Sequence, residues 1–208
     1  MNREDRKVHR ILLGILIVVY ILSGINPHDT RAWIGQTAPA VFYVLLLIGL
    51  YPRFRFTRFA YFMAFLHVLF LLYAAHSTYS HNPLFNYLAG VFGWQRNYLD
   101  RLGHFAQGFI PAFLFKELYF LGGYVKKGRI LSLIVILSCL GLSAAYELAE
   151  FATVKLLDVP VDTIMGTQGD IFDTYWDMLW ALIGAGIATL LIGPWHDKYM
   201  LRKKEEVS

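Results

Sequence analysis

Three short motifs in the second half of the chain combine carboxylates with one imidazole. They read Asp100-Arg101-x-x-His104, Glu147-x-x-Glu150 and Asp170-x-x-Asp173-x-x-x-Asp177. Spacings of three and four residues place the members of each motif on one face of a helix. Carboxylates with one imidazole suit divalent metals such as Zn²⁺, Mn²⁺ or Mg²⁺. A metal-bound water at such a site can act as a nucleophile, with a spare carboxylate as the base.

The motifs supply the candidate site residues, and one divalent metal ion is the predicted cofactor. The predicted metal ligands are His104, Glu147, Glu150, Asp173 and Asp177. The predicted catalytic residues are Glu147, Asp173 and Asp177, and the predicted ligand-binding residues are Arg101, Gln168 and Asp170. Two alternatives to a metal stay open. One is a metal-free buried polar network of paired or protonated groups, and the other is a proton- or ion-coupled pathway.

The composition places these motifs in a membrane. Of the 208 residues, 57% are hydrophobic and only 16% are charged, whereas a soluble domain carries about 25% charged residues. The charges lie in short clusters between apolar stretches, and about 20 apolar residues span a bilayer as a helix. Because the basic residues form four separate clusters, the net charge of +4 indicates membrane orientation, and no nucleic-acid partner is expected. The single cysteine, Cys139, excludes an internal disulfide.

Six apolar segments predict an all-α, polytopic membrane helical bundle of about six transmembrane helices. They are Ile11–Ile25, Thr37–Leu50, Thr57–Ala75, Gly103–Leu121, Ile130–Glu150 and Asp173–Gly193. No linker divides the chain, which predicts a single integral membrane domain over residues 1–208, with supporting spans at about 11–75 and site-bearing spans at about 103–193. Most of the 19 lysines and arginines fall on one side, so both termini are predicted to be cytoplasmic (N-in/C-in).

Depth along the last three spans sorts their ionisable residues into two layers. We count 1.5 Å per residue from the predicted cytoplasmic boundaries, which are Leu121, Arg129 and Pro194. One layer lies roughly 25–27 Å above the boundary and contains His104, Glu147 and Asp177. The other lies about 31 Å above it, at the rim of a hydrocarbon core about 30 Å thick, and contains Asp100, Glu150 and Asp173. Matching depths on three helices predict that these groups face one another inside the bundle.

Small residues predict how closely two of these helices approach. The segments Gly141–Ala145 on the fifth span and Gly184–Ala188 on the sixth each form a small-x-x-x-small pair. Such pairs favour close helix contact in membranes. We therefore expect the fifth and sixth spans to meet at these residues and to bring Glu147 and Asp177 together.

Two loops on the predicted extracytoplasmic side have alternative interpretations. The loop from His76 to Leu102 is rich in aromatic residues and is either an aromatic belt or a lid, with a short interfacial helix near Leu84–Val91. The segment Gly166–Asp170 has two glycines, which permit unusual backbone angles. It is either a capped turn, with Thr167 or Asp170 as the cap, or a loop whose amides and Gln168 contact a polar ligand.

The segments Asp100–Phe105, Tyr146–Glu150 and Gly166–Met178 closely resemble the YjdF-type family of bacterial inner-membrane proteins. The resemblance covers nearly the whole chain and implies a multi-span membrane protein whose biochemical activity is not established. A fainter similarity links the same helices to VanZ-like proteins, which are associated with glycopeptide-antibiotic resistance. This chain departs from that second pattern, with Glu150 where a glutamine is common and Asp177 where an asparagine is common.

The function predicted from these features is a site at the extracytoplasmic face of a bacterial inner (plasma) membrane. It would be a metal-assisted enzyme or a binding site for a polar envelope or lipid-linked ligand, with the lipid bilayer as the other partner; the sequence specifies no oligomeric state. The alternatives are a non-catalytic membrane scaffold and a cation- or proton-coupled transport component. Below His104 the last three spans are nearly all apolar, which argues against a polar path through one chain.

Overall fold

Helices make up all the regular secondary structure of the described part of the chain. The computed structural model describes residues 3–158 and 161–207. The helices are α1 (Arg3–Ser23), α2 (Thr30–Leu50), α3 (Arg58–Ser77), α4 (Pro83–Phe92), α5 (Leu99–Leu121), α6 (Arg129–Leu157), α7 (Val161–Ile164), α8 (Asp173–Gly186), a π-helical segment (Ile187–Ile192) and α9 (Gly193–Val207). The all-α prediction is therefore confirmed.

Several of these helices are long and apolar enough to cross a membrane. Among the described residues they are Thr30–Leu50, Arg58–Ser77, Arg129–Leu156 and Asp173–Arg202. The chain is a polytopic helical membrane protein, as predicted. Helices α1 and α5 correspond to the other two predicted spans but are more polar, because α1 begins with a basic cluster and α5 carries four charged residues. The total of six spans stays a prediction.

The helix of the last predicted span continues beyond the predicted end. We placed that end at Gly193, before a proline, but the helix runs on through a π segment and α9 to Val207. Pro194 has no backbone N–H, so it cannot donate the α-helical hydrogen bond to the carbonyl of Leu190. The π segment lies directly before this proline, and a local π turn is one way for a helix to absorb such a break.

Side-chain caps define the starts of two helices in the first half of the chain. The carboxylate of Asp29 accepts a hydrogen bond from the Ala32 amide at 2.8 Å at the start of α2, and this bond lowers the pKa of Asp29. Asn82 caps α4 in the same way, and α4 ends at Gly93 with φ of 66°. The predicted short helix near Leu84–Val91 is thus confirmed.

Backbone contacts divide the chain into two compact units, Met1–Leu99 and Asp100–Ser208, which we call unit 1 and unit 2. In unit 1, α3 packs against α1 and α2. Ala40, Val68 and Leu72 are buried at its centre. The single-domain prediction and the supporting role of the first spans stay predictions.

Glycines let two helices of unit 2 approach closely, although not the pair that was predicted. A Cβ on Gly184 would overlap the carbonyl oxygen of Phe105, and a Cβ on Gly108 would overlap the backbone of Ala181. Both contacts join α5 and α8. Gly141 has nothing within 4 Å of the place where its Cβ would lie, so its predicted role in close packing is wrong. Helix α6 still packs against α8.

Candidate functional site

His104 on α5 contacts groups from α5 and α6. Its Nε2 lies 3.2 Å from Oε1 of Glu147 and 3.8 Å from Oδ1 of Asp100. Its Nδ1 lies 3.2 Å from the hydroxyl oxygen of Ser143, which is completely buried. Because Ser143 holds one ring nitrogen, the other is directed at the carboxylates. Tyr146 packs edge-on against the imidazole.

Arg101, one residue after Asp100, is held by carboxylates at the start of the sixth predicted span. Its Nη2 donates hydrogen bonds to Asp170 at 2.8 Å and to Asp173 at 3.0 Å. Its Nε lies 4.0 Å from Oδ1 of Asp177, and the guanidinium lies over the ring of Trp176. Arg101 and Asp170 were predicted to bind a ligand, and the structure pairs them with each other.

Asp100, His104 and Asp177 each offer one ligand atom, and these atoms all lie within 4.8 Å of one another. An ion with bonds of about 2.1 Å holds tetrahedral ligand atoms about 3.4 Å apart. A small inward movement would therefore bring the three groups onto one ion. Asp100 was not among the predicted ligands. Asp173, which was, faces Arg101 instead.

The remaining predicted ligands are two acidic residues of α6. Glu147 lies against His104, and the charge of Glu150 interacts with those of Asp100 and Glu147. The eight charged or imidazole residues at this end of unit 2 are called the acidic–histidine cluster below. They are Asp100, Arg101, His104, Glu147, Glu150, Asp170, Asp173 and Asp177.

Two carboxylates of this cluster are buried, Glu147 and Asp177. Oε1 of Glu147 lies 3.2 Å from Nε2 of His104, whereas Oδ1 of Asp177 accepts no hydrogen bond from the described residues. The two residues are only 6% and 1% exposed, respectively. Buried polar atoms of native proteins nearly always have a partner, so the Asp177 oxygen indicates a water or an ion.

The loop before α8 forms a hydrogen-bonded turn. The carboxylate of Asp170 accepts from the Phe172 amide at 2.9 Å, and the Asp170 amide donates to the Thr167 carbonyl at 2.9 Å. Gln168 has a left-handed backbone, with φ of 48°, which is uncommon for a residue other than glycine. The segment is thus a turn, but the prediction that Thr167 or Asp170 caps the helix is wrong, because the N-cap of α8 is Phe172 and it has no side-chain cap. Ligand contact by Gln168 stays a prediction.

Sequence reasoning missed Ser143, although it lies one helical turn before Glu147 on the same face of α6. It also missed a second polar group, which lies at the C-terminal end of α5, in the loop that follows α5 and at the start of α9. This lysine–histidine cluster consists of Lys116, Glu117, Lys127, His196 and Asp197. The spacing of Glu117 and His196 in the sequence gave no local signal, because the two residues lie 79 positions apart.

The fold and the buried polar groups define the class: a polytopic helical membrane protein with ionisable residues inside its helical units. Residues 8–198 match the family described as "Predicted membrane protein (DUF2238)", and the chain belongs to this family. It is 33% identical over 187 residues to Inner membrane protein YjdF of Escherichia coli strain K12, covering 90% of each chain. No solved structure matches the chain.

Proposed function

We propose that the acidic–histidine cluster binds a divalent cation through Asp100, His104 and Asp177, with Glu147 as a fourth ligand. The observation that carries this proposal is the convergence of one ligand atom each from Asp100, His104 and Asp177 within 4.8 Å of one another. Oδ1 of Asp177 is buried without a hydrogen-bond partner among the described residues, and Glu147 lies against His104. A cation between these groups would complete the coordination of the Asp177 oxygen.

Charge balance supports a cation in the same place. Arg101 is already engaged by Asp170 and Asp173, so it compensates that side of the cluster. Around His104 the structure brings Asp100 and Glu147 together. Burying carboxylates without compensation costs several kcal/mol per ion by the order-of-magnitude rule. A divalent cation would offset that cost.

The arrangement around His104 also fits a metal ligand. Metal-binding histidines usually donate their second ring N–H to an acceptor that fixes the ring, and the Ser143 hydroxyl is placed to accept at Nδ1. Nε2 then remains for the metal. Among carboxylate and imidazole donors, Zn²⁺, Mn²⁺ and Mg²⁺ are suitable ions.

The proposed ligand of the metal site is a polar envelope or lipid-linked compound. Leu148 and Phe151 on α6, and Tyr175 on α8, are exposed apolar or aromatic residues next to members of the cluster. In a membrane protein such surfaces face lipid, which would give a lipid-linked substrate lateral access. A bound metal would act as a Lewis acid or activate water.

Placement in the bilayer is part of the proposal. By analogy with the inner membrane protein of Escherichia coli, the chain would lie in the bacterial inner membrane. The basic loops support cytoplasmic termini. The acidic–histidine cluster would then open on the extracytoplasmic side.

Elemental analysis and calorimetric titration of detergent-purified protein with Mn²⁺ and Zn²⁺ test the cation site. We expect one ion per chain, and Asp177→Asn should weaken binding at least tenfold. Asp158→Asn is the matched control, because Asp158 is exposed at the end of α6 with a left-handed backbone that asparagine tolerates. Folded wild-type protein that binds neither ion would overturn the proposal.

A non-catalytic scaffold is the second function that an observation favours. Arg101 joins α5 to the start of α8, and His104 joins α5 to α6, so the cluster also ties three helices together. In this case Asp177→Asn would lower thermal stability, and cations would neither bind nor protect wild-type protein against unfolding.

A further inference from the structure

The lysine–histidine cluster contains a completely buried acid–imidazole pair. Nε2 of His196 lies 2.8 Å from Oε1 of Glu117, and neither residue is exposed. Phe113 packs edge-on against the imidazole. Ionisable residues inside a membrane protein are costly and commonly mark ion or proton pathways.

The charged groups beside this pair lead toward solvent. Nζ of Lys116, next to Glu117 on α5, lies 2.7 Å from Asp197 and donates to the carbonyl of Gly193 at 3.1 Å. The other carboxylate oxygen of Asp197 lies 2.7 Å from Nζ of Lys127. The side chain of Lys127 is half exposed, so the buried pair lies close to an ionic contact that reaches the surface.

Two buried polar side-chain atoms lie between the two clusters. One is Oε1 of Gln107, one turn below His104 on α5, whose side chain interacts with that histidine. The other is Oγ1 of Thr189 in the π segment, seven residues before His196. Thr189 is only 4% exposed. Buried polar groups of this kind are usually satisfied by water.

The close contact of α5 and α8 separates the clusters. Gly108 and Gly184 leave no room for even a Cβ between the two helices, so no file of water passes between them there. His104 and Glu117 lie 13 residues apart on α5, about 20 Å along the helix. Passage along this contact therefore requires the two helices to move apart, and the π segment is a region where a helix can shift.

We propose that unit 2 couples cation binding at the acidic–histidine cluster to proton movement between its two ends, with Glu117 and His196 as the proton-binding pair of the lysine–histidine cluster. The cation half of this coupling rests on the proposed function. The proton-binding pair rests on separate residues about 20 Å away. Coupling follows from the helices, because α5 carries residues of both clusters. The α8–π–α9 helix likewise carries Asp173 and Asp177 of one cluster and His196 and Asp197 of the other.

Purified protein in phosphatidylethanolamine–phosphatidylglycerol vesicles with an internal pH dye tests this inference. Protons are driven by a membrane potential, first with Mn²⁺ in both solutions and then without it. We expect Mn²⁺-dependent pH change with wild-type protein, and a rate at least tenfold lower with Glu117→Gln. His196→Gln is the second variant in case the first misfolds, and Asp158→Asn is the control. Mn²⁺ binding in detergent should stay within about threefold of wild type in each variant.

The outcomes separate the two proposals. Wild-type vesicles that move no protons, although the protein binds Mn²⁺ in detergent, would refute the coupling and leave the cation site intact. Unchanged proton movement in folded Glu117→Gln and His196→Gln would also refute it. The protein could also bind no Mn²⁺ and still move protons under a membrane potential, with Glu117→Gln abolishing that movement. This result would refute the cation site and the coupling, and it would support the proton-binding pair.

Discussion

Replacing Gly184 by alanine should disturb the acidic–histidine cluster from a distance. The added Cβ would overlap the carbonyl oxygen of Phe105 and lie 2.9 Å from the Phe109 amide nitrogen. Ordinary carbon contacts are about 3.5 Å, so α5 and α8 would have to separate by at least about 0.6 Å. Overpacking of this kind costs about 1–3 kcal/mol.

The separation should reach the cation site, because Gly184 lies seven residues from Asp177. That is two turns, about 10 Å, on one face of α8. Asp177 would move away from His104 by more than the tolerance of about 0.2 Å in metal–ligand distances. We therefore expect Gly184→Ala to lower both the Tm in detergent and the affinity for Mn²⁺, measured by thermal unfolding and by calorimetry.

Gly141→Ala is the matched control for this prediction. It is the same substitution in a helix of the same unit, but nothing lies within 4 Å of the new Cβ. Alanine is favoured over glycine inside a helix by about 0.5–1 kcal/mol. The control should keep the wild-type Tm or raise it slightly, with unchanged Mn²⁺ affinity. If Gly184→Ala behaved like Gly141→Ala, the close contact of α5 and α8 would be refuted.

Two further variants test the contacts around the cluster. Ser143→Ala removes the hydroxyl that lies next to Nδ1 of His104. In calorimetric titration, the affinity for Mn²⁺ should therefore fall about 10–100-fold. An affinity equal to that of wild type would show that the hydroxyl does not orient the ring. Arg101→Gln leaves the buried Asp173 without its charged partner. Removing one partner of a buried pair lowers the free energy of unfolding by about 3–5 kcal/mol, so the Tm should fall. Arg31 is exposed, so Arg31→Gln is the control and should unfold like wild type. Equal Tm values for Arg101→Gln and Arg31→Gln would contradict the ion pair between Arg101 and Asp173.

The sequence predicted the helices of the fold well because bilayer-length apolar runs are an unambiguous signal. Their ends were less predictable. The span that begins with α8 was predicted to end at Gly193, since a proline follows, but the helix continues through a π segment and past Pro194. That accommodation depends on the packing of the whole helix and has no local sequence pattern.

For the candidate site, helical spacing predicted which residues share a face but not which faces meet. The small-residue pairs Gly141–Ala145 and Gly184–Ala188 looked equivalent in sequence. Of their two glycines, Gly184 makes a close contact and Gly141 does not, and the partner of Gly184 is α5 rather than α6. Likewise, Asp173 was included among the predicted metal ligands, whereas the structure pairs its carboxylate with the Arg101 guanidinium. Such choices depend on helix rotation, which periodicity alone does not determine.

The central claim is that a divalent cation lies between Asp100, His104 and Asp177. Its most direct test is an anomalous difference map from crystals grown with Mn²⁺, recorded at the manganese edge. We expect one peak per chain within about 2.0–2.4 Å of the donor atoms. Well-ordered side chains at this position with no anomalous peak, in protein saturated with Mn²⁺, would contradict the cation site.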